Sequence, residues 1–153
     1  MGIVTAALVT GAVLVVATVA GLVWRAHTGR VTDVSGRAES ELTGLLGFVS
    51  GPAPAEPGTA ATLLQFSTDH CAACGPTRRV LGRVASEHDG VTHLDINLTP
   101  YPELARRLNI MQTPTTFLFD GAGRVRGRIG GAPRLPELLS ALTPILEADH
   151  VHS

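Results

Sequence analysis

The two cysteines of the chain, Cys71 and Cys74, are separated by two residues and directly follow an apolar run. Residues 63–66 have the pattern of a short buried strand, whereas the apolar residues after Arg78 recur at helical spacing. The cysteine pair is therefore predicted to lie where a strand gives way to a helix. The free N–H groups and the dipole at a helix N-terminus favour an anion, and the anion available here is the Cys71 thiolate.

Composition narrows the possible classes of function. The 153 residues carry a formal net charge of −1, and all 12 basic residues are arginines scattered along the chain. This distribution gives no reason to expect a nucleic-acid partner. Two cysteines cannot hold together a disulfide-stapled scaffold, so the fold must rest on an apolar core. The close pair is then redox-active, metal-binding or incidental.

The N-terminal segment has the composition of a membrane span. No charged side chain occurs before Arg25, and residues 3–24 are mostly apolar. They would form a helix about 33 Å long, enough to cross the hydrocarbon core of a bilayer. A cleaved signal peptide normally starts with basic residues, whereas this chain starts with Met1 and Gly2. We therefore expect a membrane anchor at residues 1–27.

The charges that flank this span predict its orientation. Trp24 ends the span as an interfacial residue, and Arg25, Arg30 and Arg37 follow it, whereas the N-terminal flank carries only the α-amine. Basic residues favour the cytoplasmic side of a membrane. We therefore expect a single-pass protein of the cell membrane whose C-terminal domain lies in the cytoplasm.

Residues 28–58 are rich in Gly, Ser, Thr and Pro and are predicted to be a linker, stiffest at residues 51–58. Residues 39–49 could form a short helix with one apolar face. Such a helix could pack on the domain or lie on the membrane surface, and the sequence leaves both alternatives open.

The folded domain is expected at residues 59–148, followed by a flexible tail at residues 149–153. The turn at residues 88–90 leads from the first helix to a second strand, which completes a βαβ unit. The turn at residues 120–123 predicts a β-hairpin, and a final helix is expected from Pro136, kinked or ended at Pro144. The other predicted elements are strands at residues 91–98, 115–119 and 124–129 and a short helix at residues 102–108.

Three features of this domain together resemble the thioredoxin superfamily: Cys71-Ala-Ala-Cys74 after a strand, Thr113-Pro114 before a later strand, and Gly130-Gly131 between the hairpin and the last helix. The resemblance implies an α/β thioredoxin-like fold, a central mixed β-sheet flanked by helices, here behind the transmembrane helix. It also implies that Pro114 follows a cis peptide bond and faces the cysteine pair. The backbone of Thr113 would then pair with a bound substrate strand.

The same resemblance implies thiol–disulfide exchange. Cys71 would attack a substrate disulfide as the thiolate, and Cys74 would resolve the mixed disulfide and release the reduced substrate. The only redox group is then the Cys71–Cys74 disulfide itself, and no other cofactor is expected. The partners implied are protein disulfides or dithiols, an upstream thiol reductant and the membrane.

The chain also departs from the family pattern around the cysteines. Thioredoxins usually have Trp before the first cysteine and Gly-Pro between the two, whereas this chain has His70 and two alanines. The buried acid of the family is replaced by Gln65, which cannot act as a base, and the accompanying Lys falls near His93. Pro76 comes early in the predicted helix, where it would remove a hydrogen bond unless the first turn is irregular.

Protonated His70 would stabilise the Cys71 thiolate and Asp69 would oppose this, the alternative being that His70 is a solvated loop residue. His93 is expected to be an ordinary surface or strand-end residue. No metal site is expected, because two thiolates fall short of the four ligands of a structural zinc site and His150 and His152 belong to the terminal tail.

The sequence favours a membrane-tethered oxidoreductase that reduces protein disulfides, and two alternatives stay open. One resembles the tethered thiol reductases that serve cytochrome maturation outside the membrane, with the orientation reversed. The other is a non-catalytic thioredoxin-fold binding module or a copper-handling Cys-x-x-Cys domain, which the loss of the buried acid at Gln65 keeps open.

Overall fold

The computed structural model describes residues 2–27, 29–32 and 56–152, without the side chains of residues 24–27 and 149–152. Its helices are α1 (Gly2–His27), α2 (Cys74–Glu87), α3 (Pro102–Arg107) and α4 (Leu135–His152). Its strands are β1 (Val31–Thr32), β2 (Ala61–Ser67), β3 (Val91–Asn97), β4 (Thr115–Asp120) and β5 (Val125–Gly130).

The strands form one mixed sheet in the order β1-β5-β4-β2-β3. Strands β2 and β3 are parallel, with Ser67 opposite Asn97. Strand β4 is antiparallel to β2 and to β5, and β1 is antiparallel to β5. The predicted α/β fold, a mixed sheet flanked by helices, is confirmed.

Strand β2 is buried along its whole length because apolar side chains on both faces of the sheet are covered by helices. On one face, Phe66 and Phe117 meet edge to face with ring centroids 5.7 Å apart, within a cluster that α3 covers. On the other face, Leu63 and Ile129 pack with buried residues of α2 and α4. The core thus holds the end of β2, and the cysteines that follow it, in a fixed position.

The predicted hairpin between β4 and β5 is present, and Asp120 organises its turn. The carboxylate accepts hydrogen bonds from the N–H groups of Ala122 (3.1 Å) and Arg124 (2.9 Å) and from the Arg124 guanidinium (2.9 Å). An aspartate side chain that satisfies turn N–H groups in this way stabilises the turn.

Helix α4 continues past Pro144, so the expected end of the helix at this residue is wrong, whereas the alternative of a kink there stays a prediction. Leu138, Leu142 and Ile145 are buried against the sheet on both sides of the proline and hold the helix in place. Pro144 itself is exposed, and so is Ser140, whose carbonyl loses its helical partner, so water can satisfy that carbonyl. The helical backbone continues through residues 149–152, which the sequence assigned to a tail.

Helix α1 includes a 22-residue apolar stretch, Gly2–Val23, that by length and composition could span a membrane. Part of the predicted linker, residues 31–32, pairs with β5 as an edge strand. Several predictions fall outside the described residues: the helix at residues 39–49, the stiff segment at residues 51–55, Arg37, and the side chains of Trp24, Arg25, His150 and His152.

Candidate redox site

Cys71 and Cys74 form a disulfide at the junction of β2 and α2, with their Cα atoms 5.4 Å apart. Cys71 lies in the turn before the helix and is partly exposed, whereas Cys74 is the first helical residue and is only 3% exposed. The Cys74 N–H donates to the Cys71 carbonyl (3.2 Å). The two sulfurs therefore differ in their access to a partner molecule.

Pro76 causes no loss of hydrogen bonding in α2. The first i to i−4 bond of the helix runs from the Thr77 N–H to the Ala73 carbonyl (3.1 Å), and the helix begins at Cys74. Pro76 therefore lies in the first turn, where N–H groups have no helical partner in any case. The helix N-terminus keeps regular geometry next to the disulfide.

The Thr113–Pro114 peptide bond is cis, as the resemblance implied. The hydroxyls of Thr113 and Thr68 are 3.1 Å apart, which joins this loop to the turn that precedes Cys71. The Pro114 carbonyl accepts a hydrogen bond from the Gly131 N–H (2.8 Å). The three sequence features singled out above therefore meet at one end of the sheet.

Gln65 lies beneath the disulfide and is completely buried. Its side-chain NH₂ donates to the Cys74 carbonyl (3.1 Å), and its side-chain oxygen is 3.3 Å from His93 Nε2. Because the amide oxygen can only accept, His93 Nε2 must carry the hydrogen. Glutamine and histidine thus form a connected pair at the position where the family has an acid and a lysine.

The expectation that His93 is an ordinary surface or strand-end residue is wrong, because it is half-buried in the middle of β3 and contacts Gln65. Burial lowers the pKa of His93 below the ordinary value of 6.5; Asp95 opposes this shift and Arg78 adds to it. Arg78 Nε donates to Asp95 Oδ2 (2.8 Å). Asp95 Oδ1 is buried without a hydrogen bond from the described residues.

Sequence reasoning missed Arg78 and Asp95. The signal available was the i, i+2 spacing of His93 and Asp95, which puts both side chains on one face of a strand. That this face lies under α2, where Arg78 is, depends on the tertiary structure.

Two cavities flank the disulfide. A polar one of about 280 Å³ is lined by both cysteines together with Asp69, Arg78 and Asn97. A more apolar groove of about 480 Å³ runs past Thr113. The groove is further lined by Thr68, His70, Leu98, Thr99, Pro102, Ala105, Ile110, Met111 and Gln112.

His70 and Asp69 differ in how firmly they are held. Asp69 accepts a hydrogen bond from Asn97 Nδ2 (2.7 Å) and donates its N–H to the Thr99 hydroxyl (3.0 Å). His70 is exposed and lines the groove. Asp69 is therefore part of the loop scaffold, whereas His70 is available to a bound partner.

Among the residues that the structure describes, no group of three or more His, Cys, Asp or Glu side chains could hold a metal ion.

A mixed sheet flanked by helices, with a disulfide at a strand-to-helix junction and a cis-proline loop beside it, defines a thioredoxin-like thiol–disulfide oxidoreductase. No family model matches the sequence. A thioredoxin from Alicyclobacillus acidocaldarius subsp. acidocaldarius is 32% identical over 91 residues, which is 59% of this chain and 86% of that protein. The chain therefore belongs to the thioredoxin superfamily.

Solved structures agree on the fold. Thioredoxin f from spinach chloroplast, in its short form, superimposes with a TM-score of 0.51 at 22% identity, over 78% of this chain and 96% of that one. Thioredoxin f2 from Chlamydomonas reinhardtii also gives a TM-score of 0.51, at 21% identity, over 65% of this chain and 86% of that one.

Proposed function

We propose that this protein is a membrane-tethered reductase of protein disulfides, with Cys71 as the attacking thiol and Cys74 as the resolving thiol. The observation that carries the assignment is the difference in exposure between the two cysteines: Cys71 is partly exposed in the turn, and Cys74 is 3% exposed in the helix. A protein disulfide can reach the first sulfur but not the second.

In the reduced protein, the Cys71 thiolate attacks one sulfur of the substrate disulfide. A Cys71–substrate bond forms, the substrate S–S bond breaks, and the second substrate sulfur leaves as a thiolate that takes up a proton. The Cys74 thiolate then attacks Cys71 Sγ, and the remaining substrate thiol is released. Two electrons pass to the substrate, the Cys71–Cys74 disulfide forms, and an upstream dithiol reductant must reduce it again.

Substrate binding is assigned to the loop of Thr113 and Pro114 and to the groove beside it. Thr113 is partly exposed, and Met111 is 84% exposed at the mouth of the groove. An extended segment that places apolar side chains next to its disulfide fits this surface, because exposed methionine adapts to varied apolar contacts. Gln65, which lies beneath the disulfide, and His70, which lines the groove, are proposed as modulators of the reactivity of the two thiols.

Helix α1 is proposed as the membrane anchor, with the thioredoxin-like domain at residues 59–148 on the cytoplasmic side. Within α1, the hydroxyls of Thr10 and Thr18 donate to the Ala6 and Leu14 carbonyls, at 2.9 and 2.7 Å. These threonines therefore need no water as a hydrogen-bond acceptor, as a lipid-facing helix requires. The arginines that follow the span support the cytoplasmic orientation.

The test is to trap substrates with the full-length Cys74→Ser variant in membranes. This variant can form the mixed disulfide but cannot resolve it, so it should accumulate disulfide-linked partners that a reductant releases. The matched control is Cys71→Ser, which should trap few or none. Equal trapping by the two variants would overturn the assignment of Cys71 as the attacking thiol, and trapping by neither would favour the non-catalytic binding module.

A further inference from the structure

Strand β1 fastens the chain to the sheet immediately after α1. Val31 pairs with Ile129 of β5, and the Thr32 hydroxyl donates to the Arg128 carbonyl (3.1 Å). Two residues before Val31, the Gly29 N–H donates to the Gly130 carbonyl (2.8 Å). Gly29 is buried, and the Val31 side chain packs against the core cluster beneath α4. We call residues 29–32 the strap.

The strap enters the sheet at the same end as the disulfide. Strand β2 finishes there at Ser67, and the antiparallel register brings the start of β4 at Thr115 and the end of β5 at Gly130 to that end as well. Because β1 runs antiparallel to β5, the chain coming from α1 arrives beside Gly130. Gly131, the next residue, is bonded to the Pro114 carbonyl.

The distance from the apolar span to the sheet is short. Val23 is the last residue of the apolar stretch, and the four helical residues after it add about 6 Å at the standard rise. Two Cα–Cα steps of about 3.8 Å then lead from His27 to Gly29. This edge of the sheet therefore lies within about 14 Å of the hydrocarbon boundary, in or next to the headgroup layer.

The disulfide lies only three strand spacings away from the strap, since β5 and β4 separate β1 from β2. At about 4.8 Å per strand this is about 14 Å across the sheet. The domain could tilt so that β2 moved away from the membrane by this full distance. Even then, the disulfide would lie less than about 28 Å from the hydrocarbon boundary. A folded domain of ordinary size is about 30 Å or more across, so it does not fit into that gap.

We propose that the strap holds the Cys71–Cys74 end of the domain towards the bilayer, so that its substrates are disulfides in extended segments of membrane proteins at the lipid surface. This inference rests on the proposed anchoring and reductase function. If β1 were not paired, residues 28–58 would separate α1 from the domain. An extended chain of that length could reach about 100 Å, which would bring soluble proteins within range.

Gly29 offers a way to release the strap without substituting a residue that lines either cavity beside the disulfide. Its φ is +82°, and a Cβ at this position would lie 2.5 Å from the backbone carbonyl oxygen of Ala132, so Gly29→Ala should detach the strap. The matched control is Gly82→Ala in α2, where a Cβ would meet no heavy atom within 4 Å.

The experiment uses the full chain in lipid vesicles and two disulfide peptides that differ only in the length of the spacer joining them to a lipid. The unsubstituted protein and Gly82→Ala should reduce the short-spacer peptide at least tenfold faster than the long-spacer peptide. Gly29→Ala should bring this ratio close to one. A ratio near one in the unsubstituted protein would overturn the inference while leaving the reductase function intact, whereas failure to reduce either peptide would overturn the reductase function.

A second measurement tests the geometry without any activity. A fluorophore on Cys71 in full-length Cys74→Ser should be quenched by headgroup-attached quenchers more strongly than one on Asp89→Cys in a background free of other cysteines. Asp89 is exposed in the turn before β3 and therefore marks the opposite end of the sheet. Stronger quenching at position 89 would overturn the orientation, whatever the peptides show.

Discussion

Gln65 is hydrogen-bonded to the backbone of Cys74: its side-chain NH₂ lies 3.1 Å from the Cys74 carbonyl oxygen. The oxygen of the same amide accepts a hydrogen bond from His93. A neutral, fully buried group therefore occupies the place beneath Cys74, and among the described residues its one titratable hydrogen-bond partner is His93, whose pKa burial lowers. Proton transfer at Cys74 has no carboxylate to assist it from this position.

We expect Gln65→Asp to increase turnover in a disulfide-reduction assay, by about 10²-fold if proton transfer at Cys74 is limiting. The same change buries an ionisable group and removes the donor to the Cys74 carbonyl, so the unfolding free energy should fall by a few kcal/mol or the new carboxyl should have a raised pKa. Gln65→Leu is the control that should lose stability without gaining activity. A folded Gln65→Asp protein with unchanged turnover would show that this proton transfer is not limiting.

The two thiols of the reduced protein should differ in reactivity. The Cys71 thiol at the helix N-terminus should have a pKa below the free value of about 8.5 and should alkylate at least tenfold faster than the buried Cys74. Mass spectrometry of time-resolved alkylation measures both rates in one sample. Equal rates would remove the basis for naming Cys71 as the nucleophile.

His93 should make the stability of the fold depend on pH. Burial lowers its pKa in the folded state below the ordinary 6.5, so between these two values the unfolded chain binds more protons than the folded one. The contribution of neutral His93 to the stability of the fold is then fully present above about pH 6.5 and declines as the pH falls below that value. His93→Gln should flatten that decline in denaturant titrations, and an unchanged slope would contradict the assignment.

Asp120 should stabilise the hairpin in its charged form. Burial opposes ionisation, but the hydrogen bonds and charge of Arg124 and the Ala122 N–H outweigh it and lower the Asp120 pKa below 3.8. The contribution of charged Asp120 to stability is therefore present above about pH 3.8 and is lost as the pH falls through the lowered pKa. Asp120→Asn should cost about 1–3 kcal/mol at neutral pH in chemical denaturation. Asp89→Asn, at an exposed turn, should change stability by less than about 0.5 kcal/mol.

The orientation can be tested on intact cells. If the domain is cytoplasmic, a membrane-impermeant thiol reagent should leave reduced Cys71 unlabelled until the membrane is opened. Efficient labelling of intact cells would reverse the orientation and favour the extracytoplasmic reductase, with the thiol chemistry unchanged.

Much of the fold could be predicted because its signals are local. The alternation and turn residues of the hairpin and the buried run before Cys71 each reflect a period or a turn chemistry that a few neighbouring residues determine. The helix does not end at Pro144, which was one of the two outcomes predicted there, because apolar residues on both sides of it pack the helix against the sheet. Packing there outweighs the loss of one backbone hydrogen bond at an exposed position.

The sequence by itself determined that a strand runs into a cysteine pair at a helix N-terminus, that Thr113-Pro114 precedes a later strand, and that an apolar segment precedes the domain. Only the tertiary structure decided that His93 bonds to Gln65 and that residues 31–32 pair with β5. A two-residue strand is too short to show a period, and a contact between neighbouring strands depends on their register. The His93–Gln65 contact and the pairing of residues 31–32 with β5 are therefore determined only when the strands pair in register in the folded sheet.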